Sequence, residues 1–227
     1  MKQSGGSEAA KRRAGESAAA AIENGSVVGL GTGSTAAAAI RELGWRIDDG
    51  LEVHGIPTSR GARRLAREAG IPLTTLAEAT PDLAIDGADQ VADGDLIKGG
   101  GAAHTREKLV DTAADQFLVV VDDSKRAEAL DLPVPLEVLA DTVPVVESRL
   151  AALGGDPDLR AAERKDGPVV TDNGHLVIDC EFGTIEDPES LAATLSGIPG
   201  VVEHGLFVGV ADEIHVGTED GVEVLEP

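Results

Sequence analysis

One cysteine, six lysines and no long apolar run bound what this 227-residue chain can be. Cys180 on its own excludes an internal disulfide and suits a reducing compartment. Within Leu176-Val177-Ile178-Asp179-Cys180 it reads as a buried strand residue. Met1 to Ser7 is polar and has no apolar core of signal-peptide length. No apolar stretch approaches membrane-spanning length. A soluble, cytoplasmic protein is expected. His54, His104, His175, His204 and His215 are scattered with no i, i+4 pair, so zinc is not expected.

Basic residues are also few: 19 against 41 acidic ones, a formal net charge of −22. The acidity is spread along the chain rather than gathered in a tail. Such a surface repels nucleic acid and anionic membrane, so neither is an expected partner. It is the composition of a protein from a very salty cytoplasm, where ions screen the self-repulsion. In a chain so short of ammonium groups, Lys98 still stands beside a glycine triplet and Lys125 just after an apolar run. Those two lysines are candidates for binding a small anion.

The first half alternates short apolar runs with alanine-rich stretches, which predicts a parallel sheet covered on both faces. Helices are expected over 8–22, 34–43, 58–69 and 106–114, and strands over 27–30, 52–56, 83–86 and 117–121. At Leu132-Pro133-Val134-Pro135 the rhythm changes, since two prolines fit neither a helix nor a central strand. Beyond it the reading is strand (136–140), helix (142–153), strand (158–164), strand (175–180), helix (188–196) and strand (201–207). That βαββαβ order is the split, ferredoxin-like unit. Glu213 to Val216 and Gly221 to Leu225 read as strands returning to the first part. Two domains are expected: 1–131 plus 207–227, and 132–206.

Four motifs carry the chemistry. Gly29-Leu30-Gly31-Thr32-Gly33-Ser34-Thr35 follows a strand and opens a helix, so freed backbone N–H groups and the hydroxyls of Thr32, Ser34 and Thr35 make an anion site. Gly31 to Ala36 also fits the dinucleotide pattern G-x-G-x-x-A. The next strand, however, ends Ile56-Pro57-Thr58-Ser59 without the carboxylate that grips a ribose, so a monophosphate is the better guest. Asp86-Gly87-Ala88-Asp89 ends the third strand with two carboxylates able to bond sugar hydroxyls or exchange protons with them. An Asx-type turn, or a cation site drawing on Asp93 and Asp95, remains the plainer alternative there. Lys98-Gly99-Gly100-Gly101 lets a small ligand approach the backbone closely, and Glu107 follows it at the start of a helix. Asp122-Asp123-Ser124-Lys125 ends the fourth strand. Ligands of open α/β sheets bind outside the carboxyl ends of the strands, where all four motifs fall.

At these residues the chain resembles the type A ribose-5-phosphate isomerases, from about Ala10 to Val224. The resemblance rests on Gly31 to Thr35, Asp86 to Asp89, Lys98 to Ala103 with Thr105-Arg106-Glu107-Lys108, Ser124-Lys125, Val170 to Gly174, and Ile198 to Val202. It implies an α/β fold: a Rossmann-like parallel-sheet domain with a smaller ferredoxin-like α+β domain. It implies aldose–ketose exchange between ribose 5-phosphate and ribulose 5-phosphate through a cis-enediol(ate). Glu107 would move the proton between C2 and C1, while Asp86, Asp89 and Lys98 would bind the sugar hydroxyls and carbonyl. Thr32, Gly33, Ser34 and Thr35 would hold the phosphate with Lys125 and Lys11, and Gly87, Ala88, Gly99, Gly100 and Gly101 would line the sugar. It implies no metal and no organic cofactor, and a homodimer or homotetramer. Gln90 and Arg12 depart from the family's usual glutamate and lysine.

Two other functions fit parts of the pattern. A sugar-phosphate sensing module would need a DNA-binding segment, for which Met1 to Ala10 offers little length, and would not need both Lys98 and Glu107. A nucleotide-dependent oxidoreductase would need the missing ribose carboxylate, and addition of NAD would reveal it.

Overall fold

Aliphatic runs and alanine-rich stretches each form the element that their period favours in a computed structural model, which describes residues 6–227. The polar N-terminal run lies largely outside the described residues. Along the chain come α1 (Glu8–Ala20), β1 (Val27–Leu30), α2 (Ser34–Asp48), β2 (His54–Pro57), α3 (Arg60–Glu68) and β3 (Leu83–Asp86). Next are β4 (Gln90–Ala92), β5 (Asp95–Ile97), α4 (His104–Asp111) and β6 (Gln116–Asp122). After them come β7 (Val134–Val138), α5 (Val143–Ala152), β8 (Asp156–Leu159), β9 (Leu176–Glu181), α6 (Pro188–Ser196) and β10 (Val201–His204). The chain closes with β11 (Leu206–Phe207), β12 (Glu213–Gly217) and β13 (Val222–Leu225).

Two compact units emerge. Among the described residues, one holds 6–88, Arg106–Arg126 and Gly209–Pro227; the other holds Asp89–Thr105 and Ala127–Val208. In the first, six strands lie in the order β13-β12-β6-β3-β1-β2, and all but β13 run parallel. The apolar runs of β3 and β6 are buried on both faces, as a parallel sheet flanked by helices requires. Val28, Leu30, Ile85, Leu118 and Val120 pack with Ala14, Ala18, Ala39, Ile40 and Leu43 of α1 and α2. Small residues let these helices close: a Cβ on Gly15 would stand 2.6 Å from the Ala39 backbone nitrogen. Ser7 and Ser59 cap α1 and α3, accepting from the Ala10 and Ala62 N–H groups at 3.0 Å each. The strands near the end of the chain return to this sheet, β12 pairing parallel with β6.

The second unit is a four-stranded antiparallel sheet in the order β10-β7-β9-β8, connected as βαββαβ. Its core gathers Leu136, Val138, Val146, Leu150, Ile178, Cys180 and Leu195. One expectation is overturned here: Pro135 does sit within β7, a central strand, opposite Asp179. The Pro135 carbonyl faces the β10 side, where it accepts from the Gly205 N–H at 2.7 Å. The regular β10 pairing stops at His204 opposite Leu136. The missing proline N–H therefore falls just beyond the ladder. A small sheet, β11-β5-β4, was not expected from the sequence. Its hairpin turns at Asp93-Gly94, with φ of 47° and 86°, the two left-handed residues of a tight two-residue turn.

Candidate active site

In the parallel-sheet unit, the chain leaves β1 at its carboxyl end and turns directly into α2. Gly33, with φ 120°, opens that helix without a side-chain cap, so the N–H groups of its first turn point outward at the positive end of the helix dipole. Asp86, fully buried at the carboxyl end of β3, supports the turn from beneath. Its Oδ1 accepts from the Thr32 N–H at 2.9 Å and from the Gly87 N–H at 2.7 Å. Gly31 permits this approach, because a Cβ there would stand 2.2 Å from the Asp86 carboxyl. The Thr32 hydroxyl donates to Ser59 Oγ at 2.8 Å and lies 2.9 Å from Thr58 Oγ1. Ser34 is exposed and Thr35 is 8% exposed. Sequence reasoning did not single out Thr58 and Ser59 as supports of the turn. The signal for Ser59 was its place as the cap residue before α3.

Helix α4 begins at His104, two residues earlier than expected. Glu107, at 4% exposure, shares a buried face with Val110 and Asp111. Val110 packs across β1: a Cβ on Gly29 would come within 2.7 Å of Val110 Cγ1. The following strand, β6, starts level with β3, Leu83 opposite Gln116, so α4 descends toward the amino edge of the sheet. Glu107 precedes Val110 by three residues, about 4.5 Å along the axis. That places it toward the carboxyl edge, the edge from which the Gly31 to Thr35 turn springs. Lys125, half-buried, lies beyond the carboxyl end of β6 in the turn Asp123–Lys125. Lys11, on the first turns of α1, has a side chain only 12% exposed and pairs with Glu8 at 3.2 Å. Ala88 is the last residue of this segment of the unit.

Asp89, Lys98 and the glycine triplet belong to the other unit. Asp89 Oδ2 accepts from the Gly100 N–H at 2.7 Å, and the Asp89 N–H donates to the Ile97 carbonyl at 2.8 Å. Lys98 is 2% exposed, with its ammonium 5.3 Å from the centre of the Phe207 ring. Gly99 has φ 107°, and a Cβ there would meet His104 Nδ1 at 2.7 Å. Gly101 is exposed, and Ala102 holds φ 57°. Beside the loop opens a cleft lined by Gly100, Gly101 and Arg160 among Asp156, Asp158 and Glu181. Such acidic walls disfavour a phosphate, whereas the start of α2 favours one.

Gln90 has a local explanation. Its amide donates to Asp131 Oδ1 at 2.6 Å and accepts from the Asp131 and Leu132 N–H groups at 2.9 and 3.1 Å. A glutamate there would set two carboxylates against each other. Burial, with Asp156 and Glu181 nearby, pushes the Cys180 thiol up to about 12, so it stays an unreactive core residue. Among the described residues, no three potential metal-ligating side chains cluster.

The model of the family described as ribose 5-phosphate isomerase A (phosphoriboisomerase A) matches residues 54–221. The chain belongs to the ribose 5-phosphate isomerase A family. Members of that family interconvert ribose 5-phosphate and ribulose 5-phosphate. The chain is 73% identical to ribose-5-phosphate isomerase A of Natronomonas pharaonis, over 99% of this chain and 100% of that one. Against the Haloarcula marismortui enzyme of the same name, identity is 65% over 99% of this chain and 98% of the other. Among solved structures, ribose 5-phosphate isomerase A of Methanocaldococcus jannaschii superposes with a TM-score of 0.93 at 46% identity, covering 96% of this chain and 98% of that one. A D-ribose-5-phosphate isomerase in complex with phospho-erythronic acid gives 0.95 at 40% identity, covering 98% and 100%. The fold inferred from the strand order is therefore the family's fold.

Proposed function

We propose that this chain interconverts D-ribose 5-phosphate and D-ribulose 5-phosphate (EC 5.3.1.6) with Glu107 as the group that shuttles the proton. The observation that carries this reading is the placement of Glu107. It is a carboxylate on the buried face of α4, within the same unit as the anion-binding turn and toward the same edge of the sheet. From the open-chain aldose, Glu107 takes the proton on C2, and the electron pair shifts through C2–C1 onto the C1 oxygen. The resulting cis-enediolate takes the proton back from Glu107 at C1, and the C2 hydroxyl becomes the ketone as its proton passes to the C1 oxygen. Lys98 offers a cation for the developing oxyanion. Asp86 and Asp89 bind the sugar hydroxyls and assist their proton exchange, and Gly87, Ala88, Gly99, Gly100 and Gly101 leave room for the sugar. The first turn of α2, from Thr32 and Gly33 to Ser34 and Thr35, takes the phosphate, with Lys125 and Lys11 adding charge.

A positioned general base is worth about 10²–10⁴ in rate. Glu107→Gln preserves shape and removes the base. We expect kcat to fall at least by that factor, with KM and the melting curve little changed, in an assay of ribulose 5-phosphate formation. Near-normal turnover in E107Q overturns the assignment.

The same reading divides the chain by function into a catalytic domain, 1–131 plus 207–227, and a small domain, 132–206. It takes the small-molecule sugar phosphate as partner, with neither nucleic acid nor membrane, and places the protein in the cytoplasm. No helix among the described residues is long and apolar enough to cross a membrane. A homodimer or homotetramer is supported by the exposed apolar side chains of Leu139, Val145 and Leu153, and light scattering reads the mass directly. Dispersed acidity supports work in concentrated salt.

A further inference from the structure

We propose that Arg160 and Glu137, two charged residues in the antiparallel-sheet unit, are positioning residues that hold the glycine loop from Lys98 to Thr105 in its working conformation. The inference deepens the proposed function, since it rests on that loop serving the reacting end of the sugar. It concerns residues that none of the sequence motifs singled out for chemistry.

The loop has a turn bond of its own, from the Ala102 N–H to the Gly99 carbonyl at 2.9 Å, but that bond does not anchor it to the rest of the unit. Three successive glycines carry no Cβ to restrict their backbone, and Gly99 and Ala102 already stand at φ 107° and 57°. Something outside the loop must select one conformation, and the ties are specific. Arg160 follows β8, where one edge of its guanidinium grips the Asp179 carboxylate: Nε donates to Oδ2 at 2.7 Å and Nη2 donates to Oδ1. Held in that fork, Nη1 donates to the Gly99 carbonyl at 2.9 Å and more loosely to the Gly100 carbonyl at 3.4 Å. From another direction Asp89 takes the Gly100 N–H at 2.7 Å, and the Lys98 N–H donates to the Gly205 carbonyl at 2.8 Å. The peptide groups around the triplet are thus fixed through both their carbonyls and their N–H groups.

The far end is tied to Glu137, a fully buried carboxylate on β7. Thr105 Oγ1 donates to its Oε2. Thr171 Oγ1 donates to Oε1 at 2.8 Å, and Asn173 Nδ2 donates at 3.0 Å to the same oxygen. Thr171 and Asn173 belong to the turn Thr171-Asp172-Asn173-Gly174, so one buried charge locks that turn and the end of the glycine loop together. Thr105 precedes Glu107 by two residues in α4. A loop tethered at both ends by charge-assisted bonds keeps its geometry without any of these groups touching substrate.

Wild type, E107Q, R160M and Thr105→Val are to be compared by steady-state kinetics and thermal melting. Misplacing a reacting group by an ångström costs on the order of 100-fold. We expect R160M to melt cooperatively and to lose roughly 10- to 100-fold in kcat, with KM within about threefold of wild type. R160K, which keeps the charge on Asp179 but not the fork, should recover part of that loss. If R160M does not fold, T105V decides: a reduced kcat at unchanged KM supports the proposal. Wild-type kcat in a folded R160M or T105V overturns it, as does a kcat that only tracks the folded fraction, or a rise confined to KM. A wild-type protein that fails to isomerise ribose 5-phosphate, or an active E107Q, overturns the functional reading instead and this inference with it.

Discussion

The two units place their candidate site residues by different physics. In the parallel sheet, every strand-to-helix connection leaves from the carboxyl edge, so backbone direction alone carries the Gly31 to Thr35 turn, Asp86 and Lys125 to one edge. Few side-chain ties are then required, and the main one is the Asp86 carboxylate under the Thr32 and Gly87 amides. In the antiparallel unit, strand direction delivers the glycine loop to no particular conformation. That loop depends on bonds from charged groups, half-buried Arg160 held by Asp179 and buried Glu137 with Thr105. One region is organised by topology and the other by side chains, so they should fail differently.

The largest expected effect breaks one tie in each region. A methyl at Gly31 would press within 2.2 Å of the Asp86 carboxyl, so Gly31→Ala must displace that carboxylate from beneath the turn. Overpacking of this kind costs about 1–3 kcal/mol. Gly99→Ala adds a Cβ at φ 107°, 2.7 Å from His104 Nδ1. The left-handed backbone adds about 1–2 kcal/mol to that clash. We expect both variants to lose at least about 100-fold in kcat/KM, the order that misplaced reacting groups forfeit. G31A should lose phosphate-dependent binding and raise KM, whereas G99A should lose kcat, and both should melt lower. An identical kinetic signature from the two variants would erase the contrast between the regions.

The same contrast explains what was legible in the sequence. The Gly31 to Thr35 turn, the Asp86-Gly87-Ala88-Asp89 turn and Glu107 could be read because each sits at a junction between periods, where the apolar run stops and a helix starts. The βαββαβ order was legible for the same reason. Arg160, Asp179 and Glu137 were not, because a lone arginine after a strand looks like any solvated charge, and its partner lies 19 residues away. Pro135 misled the reading, since its strand is central in the sheet yet its own missing N–H falls past the end of a ladder. The β4–β5 hairpin was missed although Asp93-Gly94 announces it; strands of three residues are too short for a period to register.

Salt gives a smaller but sharper comparison. Within 89–105 and 127–208 there are 5 basic and 19 acidic residues, net −14; the rest of the described chain has 13 and 22, net −9. The antiparallel unit is the smaller and the more highly charged. Screening length shrinks from about 10 Å at 0.1 M salt to about 3 Å at 1 M. Raising KCl from about 0.1 to about 2 M should therefore lift the melting temperature by roughly 5–10 °C, at about 2–4 °C per kcal/mol of relieved repulsion. Hydrogen exchange followed by mass spectrometry should show the greater gain in protection on β7, β8 and β9. Equal gains in both units would mean that charge density does not set the response.

The smallest effect belongs to the parallel unit alone. His215 on β12 lies 2.9 Å from Ser17 Oγ through Nδ1 and 3.1 Å from Glu213 Oε2 through Nε2. Burial holds its pKa below the ordinary 6.5, outweighing the hydrogen bond and charge of Glu213, which act to raise it. A histidine depressed in the folded state takes up its proton more readily once unfolded. Its contribution to stability is complete above pH 6.5 and is lost as pH falls below that value toward the folded pKa. Stability measured by denaturant unfolding between pH 5 and 7.5 should thus fall on acidification more in wild type than in His215→Asn, although carboxylates titrate in both. Because Ser17 ties His215 to α1, exchange protection should fall first on α1 and β12, while β7 and β9 hold. Equal pH slopes in the two proteins would show that His215 has the same proton affinity folded and unfolded, and that burial there is balanced by Glu213.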